Sequence, residues 1–204
     1  MKRVFALFLV CIMVLTGCNS GGYDDASVDP PENWASYTVG ELQFRFEAGW
    51  KSGNWDPLQN NMDAMVNTIG AANNLALFGR LVAPASDRGT VNYVDFGYWD
   101  TGRTFEASEL EGIMEQINDL SLSLKKMGVS SEDKQSSRIR VYGRDALTAL
   151  TVSYLLETDS VSCLMQVALV PHGTRVYLIS YADFSKQQDD TMLEQLLTTL
   201  SFAQ

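Results

Sequence analysis

Apolar and polar residues alternate with a period of two over several stretches of the chain, and this pattern predicts β-strands. Short turn sequences separate the later stretches, so that neighbouring strands there are expected to pair antiparallel. The predicted strands are Glu41–Phe46, a run from Leu75 to Ala83, a run from Thr90 to Trp99, Arg138–Tyr142, Ala146–Glu157, Val161–Val170 and Thr174–Tyr181.

Three other stretches carry apolar residues at helical spacing. The first is predicted to begin at Asp56-Pro57, which supplies an N-cap and a proline at the first helical position. The second is predicted to begin with Ser108 and Glu111 as a capping box. The third is predicted to run from about Ser185 to the C-terminus.

The acidic pair Asp189 and Asp190 resembles an acid and base couple, but a structural role is the simpler interpretation. Both residues fall in the predicted first turn of the third helix, where Gln188 would complete a capping box with Ser185. Negative charge at that end suits the helix dipole. We therefore expect no catalysis from this pair.

Several of the predicted strands are apolar on both sides, so both faces of their sheet must be covered. Three amphipathic helices are available for this. The sequence therefore predicts an α+β fold, in which an antiparallel β-sheet is flanked by helices as an α/β/α sandwich.

The first 17 residues have the form of a secretory signal. Lys2 and Arg3 precede an apolar run, Val4–Leu15, which is shorter than the ~20 residues of a membrane-spanning helix. The residues Leu15-Thr16-Gly17-Cys18 at its end resemble the bacterial lipobox. That resemblance implies cleavage before Cys18 and attachment of lipid to its thiol. We expect residues 1–17 to be removed and Cys18 to anchor the protein in the lipid bilayer, on the extracytoplasmic face of the cell membrane.

Residues 18–36 are rich in glycine, proline and acidic side chains and have no apolar periodicity. We interpret them as a flexible acidic tether. Residues 37–204 are then a single α+β domain of ordinary size.

The charge of the chain limits its partners. Removal of Lys2 and Arg3 with the signal leaves 13 basic and 25 acidic residues, a formal charge of −12. Nucleic-acid binding depends on neutralising phosphates with lysine and arginine, so nucleic acid is not expected as a partner.

The cysteines and the single histidine provide no evident chemistry. After signal removal and lipidation of Cys18, Cys163 is the remaining thiol, and it lies in a predicted strand as a small apolar residue. His172 falls in a predicted hairpin turn with Pro171 and Gly173. One histidine and scattered carboxylates match no metal-ligand spacing. We expect no catalytic residues, no metal and no cofactor, and therefore not an enzyme.

The order of elements, with Phe44–Trp50 and Leu196–Phe202 as its local signatures, resembles the PsbP/Mog-like fold. This group includes extrinsic subunits of photosystem II, Ran-binding Mog proteins and many bacterial lipoproteins of unknown role. The resemblance covers about residues 37–203. It implies a binding or assembly module.

Two functions follow as hypotheses. The first is a non-catalytic, membrane-tethered domain that engages another protein of the cell envelope. The second is capture of a small ligand in a pocket lined by aromatic side chains of one strand, namely Tyr93, Phe96, Tyr98 and Trp99. An exposed apolar patch would favour the first hypothesis and an enclosed cavity the second.

Overall fold

The computed structural model describes residues 23–26, 28–53, 75–84, 91–116, 136–157, 162–185, 189 and 191–203. The predicted signal peptide and Cys18 lie outside these residues, as do the first predicted helix and the second half of the second one. Within the described part of the chain, no helix is long and apolar enough to cross a membrane.

The described residues form ten strands in two antiparallel sheets. The small sheet has the order β1-β2-β10, and the large sheet has the order β3-β4-β5-β9-β8-β7-β6. The strands are β1 (Ala35–Val39), β2 (Leu42–Phe46), β3 (Lys51–Ser52), β4 (Ala76–Val82), β5 (Tyr93–Asp100), β6 (Ser136–Tyr142), β7 (Leu147–Glu157), β8 (Ser162–His172), β9 (Arg175–Asp183) and β10 (Ser201–Phe202).

Two helical segments accompany the sheets. One, here α1, covers residues 109–116 and continues up to the limit of the described range. The other, α2, covers Met192–Thr199 and buries four apolar side chains. The described part of the molecule is therefore an α+β structure dominated by antiparallel sheet, as the sequence predicts at that level.

Each face of the large sheet carries its own apolar core. On one face, side chains of β5, β8 and β9 pack against the small sheet and α2, with Phe46, Phe96 and Leu196 fully buried. On the other face, the alternate side chains of the same strands pack with Leu110 of α1. Because both faces of the sheet are covered, almost every side chain of β8 and β9 is buried, and most of them are apolar.

The prediction of one sheet was wrong, because two strands outside the predicted set complete a second sheet. β1 and β10 flank β2, and β10 lies where the third helix was expected to continue to the C-terminus. Its pairing partner Leu42 is far away in sequence, so no local pattern marks it. Part of one face is thus covered by sheet in addition to helix.

The predicted start of one helix and the predicted capping box of the other need correction. The α2 helix begins at Met192, and Asp189 lies before it, where its carboxylate accepts hydrogen bonds from the backbone and side chain of Thr191. In α1, the glutamate that reaches back to the first turn is Glu109, which accepts a hydrogen bond from the backbone of Glu106 at 3.0 Å. Glu111, the expected capping residue, instead accepts from Tyr23.

The described part of the predicted tether is attached to the domain. Trp34 is 8% exposed and packs edge-on against Phe46, with 5.2 Å between ring centroids. Asp25 forms a parallel bridge with Val141 of β6. Trp34 thus packs in the core although it precedes residue 37, where the folded domain was predicted to begin.

Candidate functional site

Several aromatic and charged side chains meet at one end of the large sheet, and we call them the end cluster: Glu41, Tyr98, His172, Arg175, Tyr177 and Phe202. Two tight turns bring them there. The β8–β9 hairpin turns at Gly173 and the β1–β2 hairpin at Gly40, with φ of 62° and 58°. Glycine adopts such positive φ angles without steric cost, so each strand pair reverses within two residues.

Glu41 joins the two sheets within the end cluster. Its Oε1 accepts a hydrogen bond from Nη1 of Arg175 at 2.6 Å and another from the hydroxyl of Tyr177. The Tyr177 hydroxyl is the main group that lowers the pKa of Glu41, and Arg175 lowers it further while partial burial opposes both. Burial, together with the Glu41 carboxylate, raises the pKa of Tyr177 to about 12. Tyr177 is therefore a neutral hydrogen-bond donor to a charged carboxylate.

Stacked rings surround this polar centre. The guanidinium of Arg175 lies over the ring of Tyr98, 4.4 Å from its centroid. His172 stacks flat on Phe202, with centroids 3.7 Å apart and planes 5° apart. Phe202 in turn lies 5.0 Å from Tyr177. The C-terminal strand β10 thus supplies an aromatic ring to the site.

The end cluster is suited to recognition of another molecule. Arg175 and Glu41 keep 37% and 41% of their side-chain surface exposed. A guanidinium has five N–H donors in a planar fork, and the contact with Glu41 orients that fork while leaving donors at the surface. Arginine and tyrosine held rigidly beside partly exposed aromatic rings are typical of protein-binding hot spots.

The four aromatic residues proposed to line a pocket do not lie together. They belong to β5, where successive side chains point to opposite faces of the sheet. Tyr93 and Trp99 are buried in the core on the α1 side, whereas Phe96 is buried on the side of the small sheet. Tyr98 also lies on that side and is half-buried. The four side chains therefore cannot line one pocket, and only Tyr98 belongs to the end cluster.

Cys163 and His172 lie at opposite ends of β8, nine residues apart. At about 3.3 Å per residue, this separation excludes a thiol–imidazole pair. Cys163 is buried with its Sγ 3.3 Å from Sδ of Met165. Burial raises the pKa of the Cys163 thiol to about 12, so the thiol is protonated and unreactive at neutral pH.

A buried ion pair, Arg80 with Asp95, lies inside the core on the α1 side of the sheet. The contact is bidentate, with Nε to Oδ1 at 2.6 Å and Nη2 to Oδ2 at 2.8 Å. Ser180 is the register partner of Asp95 on β9, and its buried Oγ has no hydrogen-bond partner among the described residues. The contact of Arg80 with Asp95 has no local sequence signal, because it joins residues of different strands.

Across the described residues, no group of three or more histidine, cysteine, aspartate or glutamate side chains is placed to hold a metal ion. The carboxylates near the end cluster and near α2 are engaged by arginine, tyrosine or backbone donors. The absence of a cofactor stays a prediction.

No protein-family model matches the chain, and a comparison with curated proteins finds no significant match. Among solved structures, a protein from Bacteroides thetaiotaomicron is similar with 9% identity and a TM-score of 0.44, over 80% of this chain and 46% of that one. This chain thus spans less than half the length of that protein. The Pseudomonas aeruginosa protein PA94, of unknown function, is similar with 10% identity and a TM-score of 0.35, over 74% of this chain and 82% of that one.

Proposed function

We propose that the protein is an extracytoplasmic lipoprotein, anchored in the cell membrane by acylated Cys18, whose PsbP/Mog-like domain binds another protein of the cell envelope without catalysis. The observation that supports binding is the end cluster, in which Glu41 orients a half-exposed Arg175 over Tyr98. The Leu15-Thr16-Gly17-Cys18 sequence supports the anchor.

The end cluster fits a protein partner because its rigidity lowers the entropic cost of binding. Arg175 is held by an ion pair and a ring, so fewer of its rotamers are lost when a partner docks. A partner carboxylate or backbone carbonyl would accept hydrogen bonds from its outer N–H groups. An apolar partner side chain would cover the stacked rings of His172 and Phe202.

Cross-linking on intact cells tests this function. Cells expressing the full chain are treated with a cross-linker, and proteins that co-purify are identified for the wild type, Arg175→Ala and Tyr98→Ala. We expect one envelope protein whose yield falls about tenfold or more in both variants, as loss of about 1.4 kcal/mol or more of binding energy predicts.

The matched control is Lys51→Ala, which removes an exposed cation from β3, an edge strand of the same sheet. It should leave the yield unchanged. Circular dichroism of each purified variant separates lost binding from lost folding. Equal capture by the wild type and both end-cluster variants would exclude this surface as the binding site.

A further inference from the structure

The segment that follows the predicted anchor is fixed to the edge strand β6. Ala26 N–H donates to the carbonyl of Val141 at 2.9 Å, and Val141 N–H donates to the carbonyl of Asp24 at 3.1 Å. The hydroxyl of Tyr23 donates to Oε1 of Glu111 on α1 at 3.2 Å. From Tyr23 onward, the described chain is thus attached to the domain.

A second attachment follows within ten residues. Nη2 of Arg45 on β2 donates to three backbone carbonyls, those of Pro31 at 3.3 Å, Glu32 at 2.7 Å and Trp34 at 3.4 Å. Trp34 itself is in the core. Residues 31–34, which were predicted to be part of a flexible tether, therefore contact the folded domain.

Only four residues, 19–22, separate Cys18 from the attached Tyr23. Five residue steps span at most about 18 Å when fully extended. A free tether over residues 18–36 would reach at most about 60 Å. The position of the attachment therefore decides how far from the bilayer the domain can lie.

We propose that the β6 edge, together with Tyr23 and the first turns of α1, faces the bilayer surface, and that the domain works directly against the membrane. This inference rests on the proposed acylation of Cys18.

Charged side chains of both signs are exposed on the surface that is proposed to face the bilayer. Arg138 and Arg144 are exposed, and neither forms a salt bridge with another described residue. Arg140 is paired with Glu194 at 3.2 Å. The exposed carboxylates of the same surface are those of Asp24, Asp25 and Asp145 and, on α1, Glu111 and Glu115. The arginines are attracted to anionic lipids and the carboxylates are repelled by them, so the short connection to Cys18 carries the proposed orientation and the charge does not.

The geometry of the large sheet makes the orientation measurable. β6 and β3 are its two edges and are separated by six strand spacings. At about 4.8 Å per spacing, the edges lie roughly 29 Å apart. A probe beside β6 and a probe on β3 should therefore lie at clearly different distances from the lipid.

The test uses the full acylated protein in vesicles of phosphatidylcholine and phosphatidylglycerol that contain a headgroup spin label. A fluorophore is attached to Gly112→Cys, next to Glu111, or to Ser52→Cys on β3. Residue 112 is exposed, and a side chain there meets no atom within 4 Å. The buried Cys163 should not react with the dye in the native protein. We expect the spin label to quench the fluorophore at 112 several-fold more than the one at 52.

Two further proteins serve as controls. Twenty glycine and serine residues inserted between Gly22 and Tyr23 should abolish the difference, because the domain then moves freely above the surface. Ala26→Pro removes the N–H that bonds Val141 and should reduce the difference without changing vesicle binding.

The outcomes separate the two proposals. Failure of the wild type to float with vesicles would overturn the acylated anchor and this inference with it. Flotation with equal quenching at both positions would overturn the orientation alone. Equal quenching ratios in the wild type and the insertion variant would also overturn it, since the short connection would then have no effect.

Discussion

Arg80 and Asp95 are 4% and 6% exposed, and they form the most deeply buried ion pair among the described residues. The guanidinium also lies 4.5 Å from the ring centroid of Tyr93. Removal of one charge leaves the other in a low-dielectric core without compensation. We expect Asp95→Asn and Arg80→Met each to lower the free energy of unfolding by about 3–5 kcal/mol, measured by urea denaturation.

Arg103→Ala is the control for this prediction. It breaks an ion pair with Glu109 that is exposed at the surface, and exposed pairs contribute little because water screens them. Its urea midpoint should stay close to that of the wild type. A midpoint shift as large as that of Asp95→Asn would show that burial does not decide the strength of these pairs.

The thiol of Cys163 gives a second prediction for a single residue. Its pKa is raised to about 12, mainly by burial and further by the nearby Asp183 carboxylate, so little thiolate forms at neutral pH. A thiol-reactive dye should label the native domain slowly and the urea-unfolded domain quickly. Fast labelling of the native domain would contradict a purely structural role for this cysteine.

At the level of elements, the sequence predicted most of the strands that have a local pattern of apolar and turn residues. The strands from β6 to β9 are rich in apolar residues, the β6–β7 and β8–β9 turns each contain a glycine, and the four strands lie within a few residues of the predicted positions. β1 and β10 were missed because each is stabilised by pairing with β2, and β10 is only two residues long. The start of α2 was misplaced because Asp189 bonds Thr191 before the helix begins.

The segment before β1 gives a prediction at the same level. We expect a domain that starts at residue 37 to be less stable than one that starts at residue 23. It loses the buried Trp34 ring, the contacts of Arg45 with carbonyls and the bridge to Val141. Truncation of a buried tryptophan costs about 3–5 kcal/mol by itself. Thermal or urea unfolding of the two domains measures the difference.

Trp34→Ala in the longer domain is the matched variant. It should account for most of the lost stability, because the ring contributes the apolar contact with Phe46. Equal stability of the two domains would show that residues 23–36 add reach and no folding energy, as their composition first suggested.

At the scale of the whole molecule, the sequence did not predict the end cluster, although some of its residues lie in turns and strands that were predicted. Glu41 and Arg175 each follow a glycine-containing turn, but they are 134 residues apart. Their contact exists only because the small sheet lies on the large one and closes over the hairpin end. The aromatic residues of β5 were noticed as a group, yet a strand divides its side chains between two faces, and one of the four belongs to the site.

The last prediction concerns the location of the whole molecule. Cys18→Ser should release the protein from the membrane fraction or leave it with its signal uncleaved, because serine cannot receive the thioether lipid that the lipobox resemblance implies. Each buried methylene of an acyl chain contributes about 0.8 kcal/mol, so two or three chains hold the protein where a single chain would not. Metabolic labelling with a fatty-acid analogue should mark the wild type, and Cys163→Ser, which keeps Cys18, should be labelled equally. Label that persists in Cys18→Ser would place the lipid elsewhere and contradict the anchor on which the membrane-facing orientation of the β6 edge depends.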